Sequence, residues 1–257
     1  MTRPVVESLS NPTIALLPAE QGLADEMAML KAVAQGRRSR ASLIWSTQEC
    51  LVVPRFMETM AGFSHARGSM ASEGWPIHVR FTGGDVYPQG AGIVNIAIAF
   101  RLKRGDFDRV GGAYAALCDP IVDAMRDLGI DAQCGSIDGA FCRGSHDIAI
   151  GGRKIAGVAQ RWRAAAPPFE SFDAVLVHAG LLCAGDVEYL SSAVNRFYHA
   201  CASDRRADPA SHTTLFGQEG TKATLRTVQL VARIVHRLAC AAAIRSIEPP
   251  ATDFVSH

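Results

Sequence analysis

The chain has 257 residues, 26 lysines and arginines against 25 acidic residues, 48% hydrophobic and 20% charged content. A net charge of +1 excludes a broad electrostatic footprint for nucleic acid or anionic lipid, so the expected partner is close to neutral or docked by local patches. No run of about 18 apolar residues occurs and the opening MTRPVVESLSNPTIALL lacks an apolar core, from which no membrane partner and a cytoplasmic location are expected. Seven cysteines, at 50, 118, 134, 142, 183, 201 and 240, contain no CxxC pair; with no ligand spacing among the histidines either, neither a disulfide framework nor a metal site is expected.

In chain order, Leu23, Met27, Leu30 and Val33 or Ala34 recur at helical spacing within Glu20–Gln35 and stop at Gly36, which predicts a first amphipathic helix. Strands are expected near 42–47, 51–55, 77–82 and 92–102; the last is apolar on nearly both faces and belongs at the centre of a sheet. MAGFSHARGSMASEGW between them reads as a loop. Asp106–Leu128 predicts a helix with Val110, Leu117, Ile121 and Met125 on its apolar stripe, kinked or restarted at Pro120. After DAQCGSI, Gly151-Gly152 separates DIAI from RKIAGVAQ, and a two-glycine loop supplies the positive φ at both positions that a type I′ hairpin turn needs. FDAVLVHAGLLC suits a buried strand, and helices near 187–201 and 222–246 close the chain. Without regular βαβ alternation, the reading is an α+β fold with helices on a mixed, largely antiparallel sheet, as one domain over 1–257 with no separate C-terminal domain.

In the hairpin register Ile150 pairs with Arg153, Ala149 with Lys154 and Asp147 with Ala156, so Asp147, Ala149, Lys154 and Ala156 share one face and Asp147 is a diagonal neighbour of Lys154. Cys142 lies just upstream in the polar loop FCRGSH, flanked by Arg143, Gly144 and Ser145. A cysteine taken at random is more often buried packing, and a lysine after a turn is more often a solvated edge charge. A thiol on a polar loop near a cation is, however, the arrangement of a nucleophile. Arg80, Thr82, Gly83 and Gly84 follow another strand, where paired glycines let backbone approach a ligand; the stretch lacks both the GK[ST] of a phosphate loop and GxGxxG spacing.

RFTGGDVYPQGAGIVN and GSHDIAIGGRKIAGVAQRW, followed by VLVHAGLL, resemble the ordered signatures of the biotin/lipoate protein ligase superfamily over roughly Glu20–Tyr198. FCRGSHDIAI is similar to its cysteine-dependent octanoyl and lipoyl transferase branch, whose nucleophile would fall on Cys142. Where many ligases of the superfamily carry GGGAVxHxxG, this chain has Asp85, Tyr87 and Pro88. The resemblance implies a ligase-like catalytic fold and transfer of an octanoyl or lipoyl group to a lysine of a lipoyl-domain protein, with an acyl carrier protein or a lipoylated carrier as donor and no cofactor. Lys154 would serve the substrate carbonyl, Arg80 would brace the glycine loop, and Gly83 and Gly84 would make room for the acyl chain; Thr82, Asp147, Gly157 and His178 would complete the substrate site. His146 is a candidate base with exposure as the plainer reading; a satisfied buried histidine is the plainer reading of His178. The alternatives are an ATP- and magnesium-dependent lipoate or biotin ligase, and a non-catalytic acyl-binding partner subunit.

Overall fold

A computed structural model describes residues 14–105, 108–142, 144–218 and 220–245. The chain opens with strand β1 (Ala15–Leu16) and helix α1 (Ala19–Ala34), followed by β2 (Arg40–Ser46), β3 (Cys50–Pro54), a 3₁₀ turn (Arg55–Thr59) and α2 (Phe63–Ser72). Next come β4 (Ile77–Arg80), β5 (Tyr87–Gln89), β6 (Ile93–Lys103), α3 (Arg109–Arg126), β7 (Ala132–Gly135), β8 (Asp147–Ile150), β9 (Arg153–Ala164) and β10 (Phe172–Leu182). Helix α4 (Val187–Ala200), a 3₁₀ turn (Pro209–Ser211) and α5 (Thr221–Arg245) complete the described order. None of these helices is long and apolar enough to cross a membrane.

The strands form a seven-stranded sheet in the order β1-β2-β6-β10-β9-β8-β7 and a three-stranded sheet in the order β4-β3-β5. All pairings in the larger sheet are antiparallel except β1 with β2, as the α+β reading expects. β6 is interior because both its faces are apolar. Ile96 and Ile98 share one core with Leu117 and Ile121 of α3 and Leu230 and Ile234 of α5, while Ala97 and Ala99 share another with Leu30 and Val33 of α1. A separate core joins the small sheet to α2 and α4 through Leu51, Val53, Met70, Phe197 and Tyr198.

Several expectations need correction. The segment read as a loop contains α2, because Phe63, Ala66 and Met70 at helical spacing bury against α4; the glycines on either side masked that short stripe. The helix α3 runs through Pro120 without ending, capped by Asp108, whose Oδ1 accepts from Gly111 N at 3.0 Å. Val110, in its first turn, is exposed, and Ala113 takes its place on the buried stripe; Asp106, the expected start, lies outside the described residues. The hairpin turn forms with φ of 54° and 74° at Gly151 and Gly152, and Ile150 pairs with Arg153 and Ala149 with Lys154. Beyond them a bulge moves the register by one residue, so that Ile148, not Asp147, faces Ala156. The bulge turns Ala156 to the face that Ile155 shares with Ile148, and all three lie in one core with residues of α3 and α5. Asp147 pairs instead with Gly135 of β7.

Candidate active site

The site forms between the α1-facing side of the large sheet and the edge of the small one. Three glycine positions allow the close approach. Gly157 of β9 lies opposite Gly180 of β10, and a Cβ on either would come within 2.9 and 2.7 Å of the Tyr87 ring. The ring therefore lies directly on sheet backbone, with its hydroxyl donating to Gly180 O at 2.6 Å. Burial, with the Cys142 sulfur adding to it, holds the Tyr87 phenol well above the usual range, so it remains a neutral donor. Gly84, at φ +95°, is the third: a Cβ there would lie 2.8 Å from Cys142 Sγ and 2.9 Å from Arg80 Nη2. The room at Gly84 thus goes to the sulfur and the guanidinium, where an acyl chain was expected; Gly83 lies in open space.

Cys142 is 8% exposed and adopts φ 49°, a left-handed conformation that a non-glycine residue holds only when its surroundings enforce it. Its Sγ accepts hydrogen bonds from Asp85 N at 3.1 Å and Arg80 Nη2 at 3.5 Å. Arg80, only 5% exposed, is itself pinned, donating to Val52 O, Gly83 O and Asp85 O. The cation beside the sulfur is therefore Arg80, a residue expected only to brace the glycine loop.

Lys154 and Asp147 are fully buried and meet at 2.8 Å. The other donors of the Lys154 ammonium go to Phe141 O at 3.0 Å and Cys142 O at 2.5 Å, and Asp147 Oδ2 also accepts from Gly144 N at 3.0 Å. All three lysine donors are spent on the protein. As it stands, Lys154 secures the turn that presents Cys142, in place of the expected contact with a substrate carbonyl. Burial raises the Asp147 carboxyl above its ordinary value despite the opposing effect of Lys154.

The same turn is held from its other side by His212, which sequence reasoning missed. His212 is 1% exposed; its Nε2 accepts from Phe141 N at 3.1 Å, its Nδ1 faces Asp208 O at 3.1 Å, and its ring stacks on Phe141 with centroids 3.7 Å apart. Burial pushes His212 down to about 4, which keeps it neutral and Nε2 free to accept. A histidine in the polar stretch ASHTT gives no local periodic signal; only the bridge between Lys154 and His212 brings it here.

Cys142 opens onto a narrow cavity of about 40 Å³ lined by Arg80, Tyr87, Gln89, Asn95, Gly157 and His178. Gln89 and Asn95 exchange amide hydrogen bonds in its wall at 3.1 and 2.8 Å. His178 Nδ1 lies 2.8 Å from Glu26 Oε2, and Glu26, 2% exposed, also accepts from Trp45 Nε1 at 3.0 Å. This histidine is both satisfied and site-lining. Its buried carboxylate partner was hidden in the sequence as one polar residue on the apolar stripe of α1. A cleft of about 550 Å³ adjoins the cavity, sharing Leu23 and Arg80 with it, and Thr82 lines that cleft with its buried Oγ1 unpartnered. His146 is turned elsewhere, stacked on Tyr114 with centroids 4.0 Å apart. Arg143 lies outside the described residues. Burial raises Cys50 and Cys183 to about 12, so those sulfurs stay protonated packing groups. No group of three or more candidate metal ligands occurs among the described residues.

Residues 18–225 match the family described as the lipoyl protein ligase A/B catalytic domain. An uncharacterised protein of Cupriavidus necator is 36% identical over 194 residues, covering 72% of this chain and 76% of the relative. An octanoyl-GcvH:protein N-octanoyltransferase of Kyrpidia tusciae is 31% identical over 214 residues, covering 79% of this chain and 73% of the relative. Among solved structures, the bipartite lipoate protein ligase of Thermoplasma acidophilum superposes with a TM-score of 0.60 at 19% identity over 88% of this chain and 82% of its own, a likeness of fold. With more than half of its length matched, this chain belongs to the lipoyl protein ligase A/B catalytic domain family.

Proposed function

We propose that the protein is an acyltransferase that moves an octanoyl or lipoyl group, through a thioester on Cys142, to a lysine of a lipoyl-carrying domain. The observation that carries this reading is the Cys142 sulfur, presented by a left-handed turn into the cavity with two N–H donors directed at it. Similarity to octanoyltransferases that are named for GcvH as donor supports it. In the first step the sulfur attacks the acyl carbonyl, the C–S bond forms, and the donor's thiol or amine leaves with the proton. In the second, the acceptor lysine nitrogen attacks the thioester, the C–N bond forms, the C–S bond breaks and the amine proton returns to sulfur. Arg80 and the Asp85 N–H face the sulfur, which carries the charge before the first attack and takes it up again as the C–S bond breaks in the second. The donor is an acyl carrier protein thioester or an acylated carrier domain. Neither nucleotide nor metal is needed, because the acyl group arrives already activated or is exchanged between like bonds.

The 40 Å³ cavity has room for a few water molecules only. An eight-carbon tail would have to widen it or run past Leu23 and Arg80 into the adjoining cleft. Burying that tail contributes on the order of 5 kcal/mol at about 0.8 kcal/mol per CH₂, enough to select chain length.

Intact mass after incubation with octanoyl-acyl carrier protein tests the reading. A gain of one octanoyl group on Cys142, labile to hydroxylamine, independent of ATP and lost in Cys142→Ser, is the expected result. Acylation of the acceptor that requires ATP and magnesium and survives Cys142→Ser would establish the ligase alternative; a retained fatty acid with no acylated acceptor would establish an acyl-binding subunit.

A further inference from the structure

The backbone N–H that faces the Cys142 sulfur belongs to Asp85, and the Asp85 side chain is held by three separate partners. Its Oδ1 accepts from Val86 N at 2.8 Å and from the Tyr198 hydroxyl at 2.6 Å, and its Oδ2 meets Arg205 Nη1 at 2.9 Å. On the other side of the same residue, Arg80 Nη2 donates to Asp85 O at 2.6 Å. Carbonyl and carboxylate are thus both fixed, and the N–H between them points at Sγ from 3.1 Å. Glycines 83 and 84, just before it, give the peptide no stiffness of their own. Tyr198 is 3% exposed on α4, anchored between Phe197 and the small-sheet core, and the Arg205 guanidinium lies 5.9 Å from its ring. The apolar packing of α4 is in this way coupled, through one phenol and one carboxylate, to a single backbone donor at the sulfur.

We propose that Asp85, Tyr198 and Arg205 form a positioning device that holds the Asp85 N–H on the Cys142 sulfur. This deepens the reading of Cys142 as nucleophile and rests on it. None of the three side chains touches the sulfur, so each acts through the Asp85 peptide. Removing the carboxylate frees the peptide after Gly84 to swing, and the donor is lost for part of the time. The N–H fixes the sulfur in position for attack, and a reacting atom misplaced for part of the time slows the acylation step roughly tenfold to a hundredfold. Capture of the donor depends on the cavity and its surroundings, and its KM is unaffected.

The test is single-turnover acylation of Cys142, followed by intact mass with octanoyl-acyl carrier protein, alongside thermal unfolding of each variant. Asp85→Gly keeps the backbone N–H but removes every side-chain anchor; it should acylate about tenfold to a hundredfold more slowly at unchanged donor KM. Tyr198→Phe removes one hydroxyl from a buried ring and should slow acylation by about tenfold. Asp85→Asn retains an acceptor for Tyr198 and Val86, and should recover most of what Asp85→Gly loses. Arg205 is 55% exposed at its side chain, so Arg205→Gln leaves the core intact should Tyr198→Phe fold poorly, and should slow acylation by a few-fold. Wild-type acylation rates in Asp85→Gly, Tyr198→Phe and Arg205→Gln, with Cys142→Ser taking up no octanoyl group, would overturn the device and leave the nucleophile standing. Acceptor acylation that survives in Cys142→Ser would overturn the reading beneath it as well.

Discussion

Replacing Lys154 with methionine removes the only cation that the buried Asp147 carboxylate contacts among the described residues, together with the donors to Phe141 O and Cys142 O. Both side chains are 0% exposed, so water cannot take over these roles. Breaking a fully buried pair by deleting one partner costs about 3–5 kcal/mol, because a charge is stranded in a low dielectric. For a chain of this size, that lowers the melting temperature by about 6–20 °C, at roughly 2–4 °C per kcal/mol. The loss is also pH-dependent. Burial already raises Asp147 above its unfolded value, and without Lys154 the opposing effect disappears. A carboxyl raised in the folded state favours folding most when it is protonated, and that contribution is lost as pH rises through the folded value. The Lys154→Met deficit is therefore larger at neutral pH than in mild acid. Adding Asp147→Asn removes the stranded charge and restores part of the stability. Urea and thermal unfolding of wild type, single and double variants at two pH values measure all of this. A double variant less stable than Lys154→Met by the full cost of Asp147→Asn alone would show that the two side chains act independently, and would refute the argument.

His212 gives a second titration, of opposite sense. Its value falls from 6.5 unfolded to about 4 folded, so its contribution, on the order of 3 kcal/mol at most, is present above 6.5 and lost as pH falls toward 4. Wild-type stability and acyl transfer should decline over that window, and His212→Gln should flatten the stability profile; an unchanged slope would count against it. Alanine at Gly157 or Gly180 should cost about 1–3 kcal/mol by overpacking against Tyr87, with most of it relieved when Tyr87→Leu is added; equal cost with and without Tyr87 would show that the clash lies elsewhere. Glu26→Leu should cost about 2–4 kcal/mol by leaving the indole of Trp45 and the imidazole of His178 without their buried acceptor, read by thermal unfolding. The same loss in a Trp45→Phe background would contradict that account.

The sequence by itself determined what local chemistry dictates. Gly151-Gly152 sets a hairpin because only glycine takes those φ values freely, the two-faced apolarity of residues 92–102 sets an interior strand, and the spacing of Leu117, Ile121 and Met125 sets a buried helix face. Cys142, Lys154, Arg80, Gly84, Gly157 and His178 were legible as a group through their resemblance to a family pattern. Which donor reaches which acceptor was not. The bulge at Ile155, the preference of the Lys154 ammonium for two backbone carbonyls, and the meeting of Arg80 with the sulfur all depend on how β4, β9 and the Cys142 turn come together. Tyr87, Tyr198 and His212 lie 55, 56 and 70 residues from Cys142 and carry no periodic signal that points to it. Their roles arise only in the tertiary structure, because hydrogen bonds between side chains distant in sequence are fixed by packing that no local window contains.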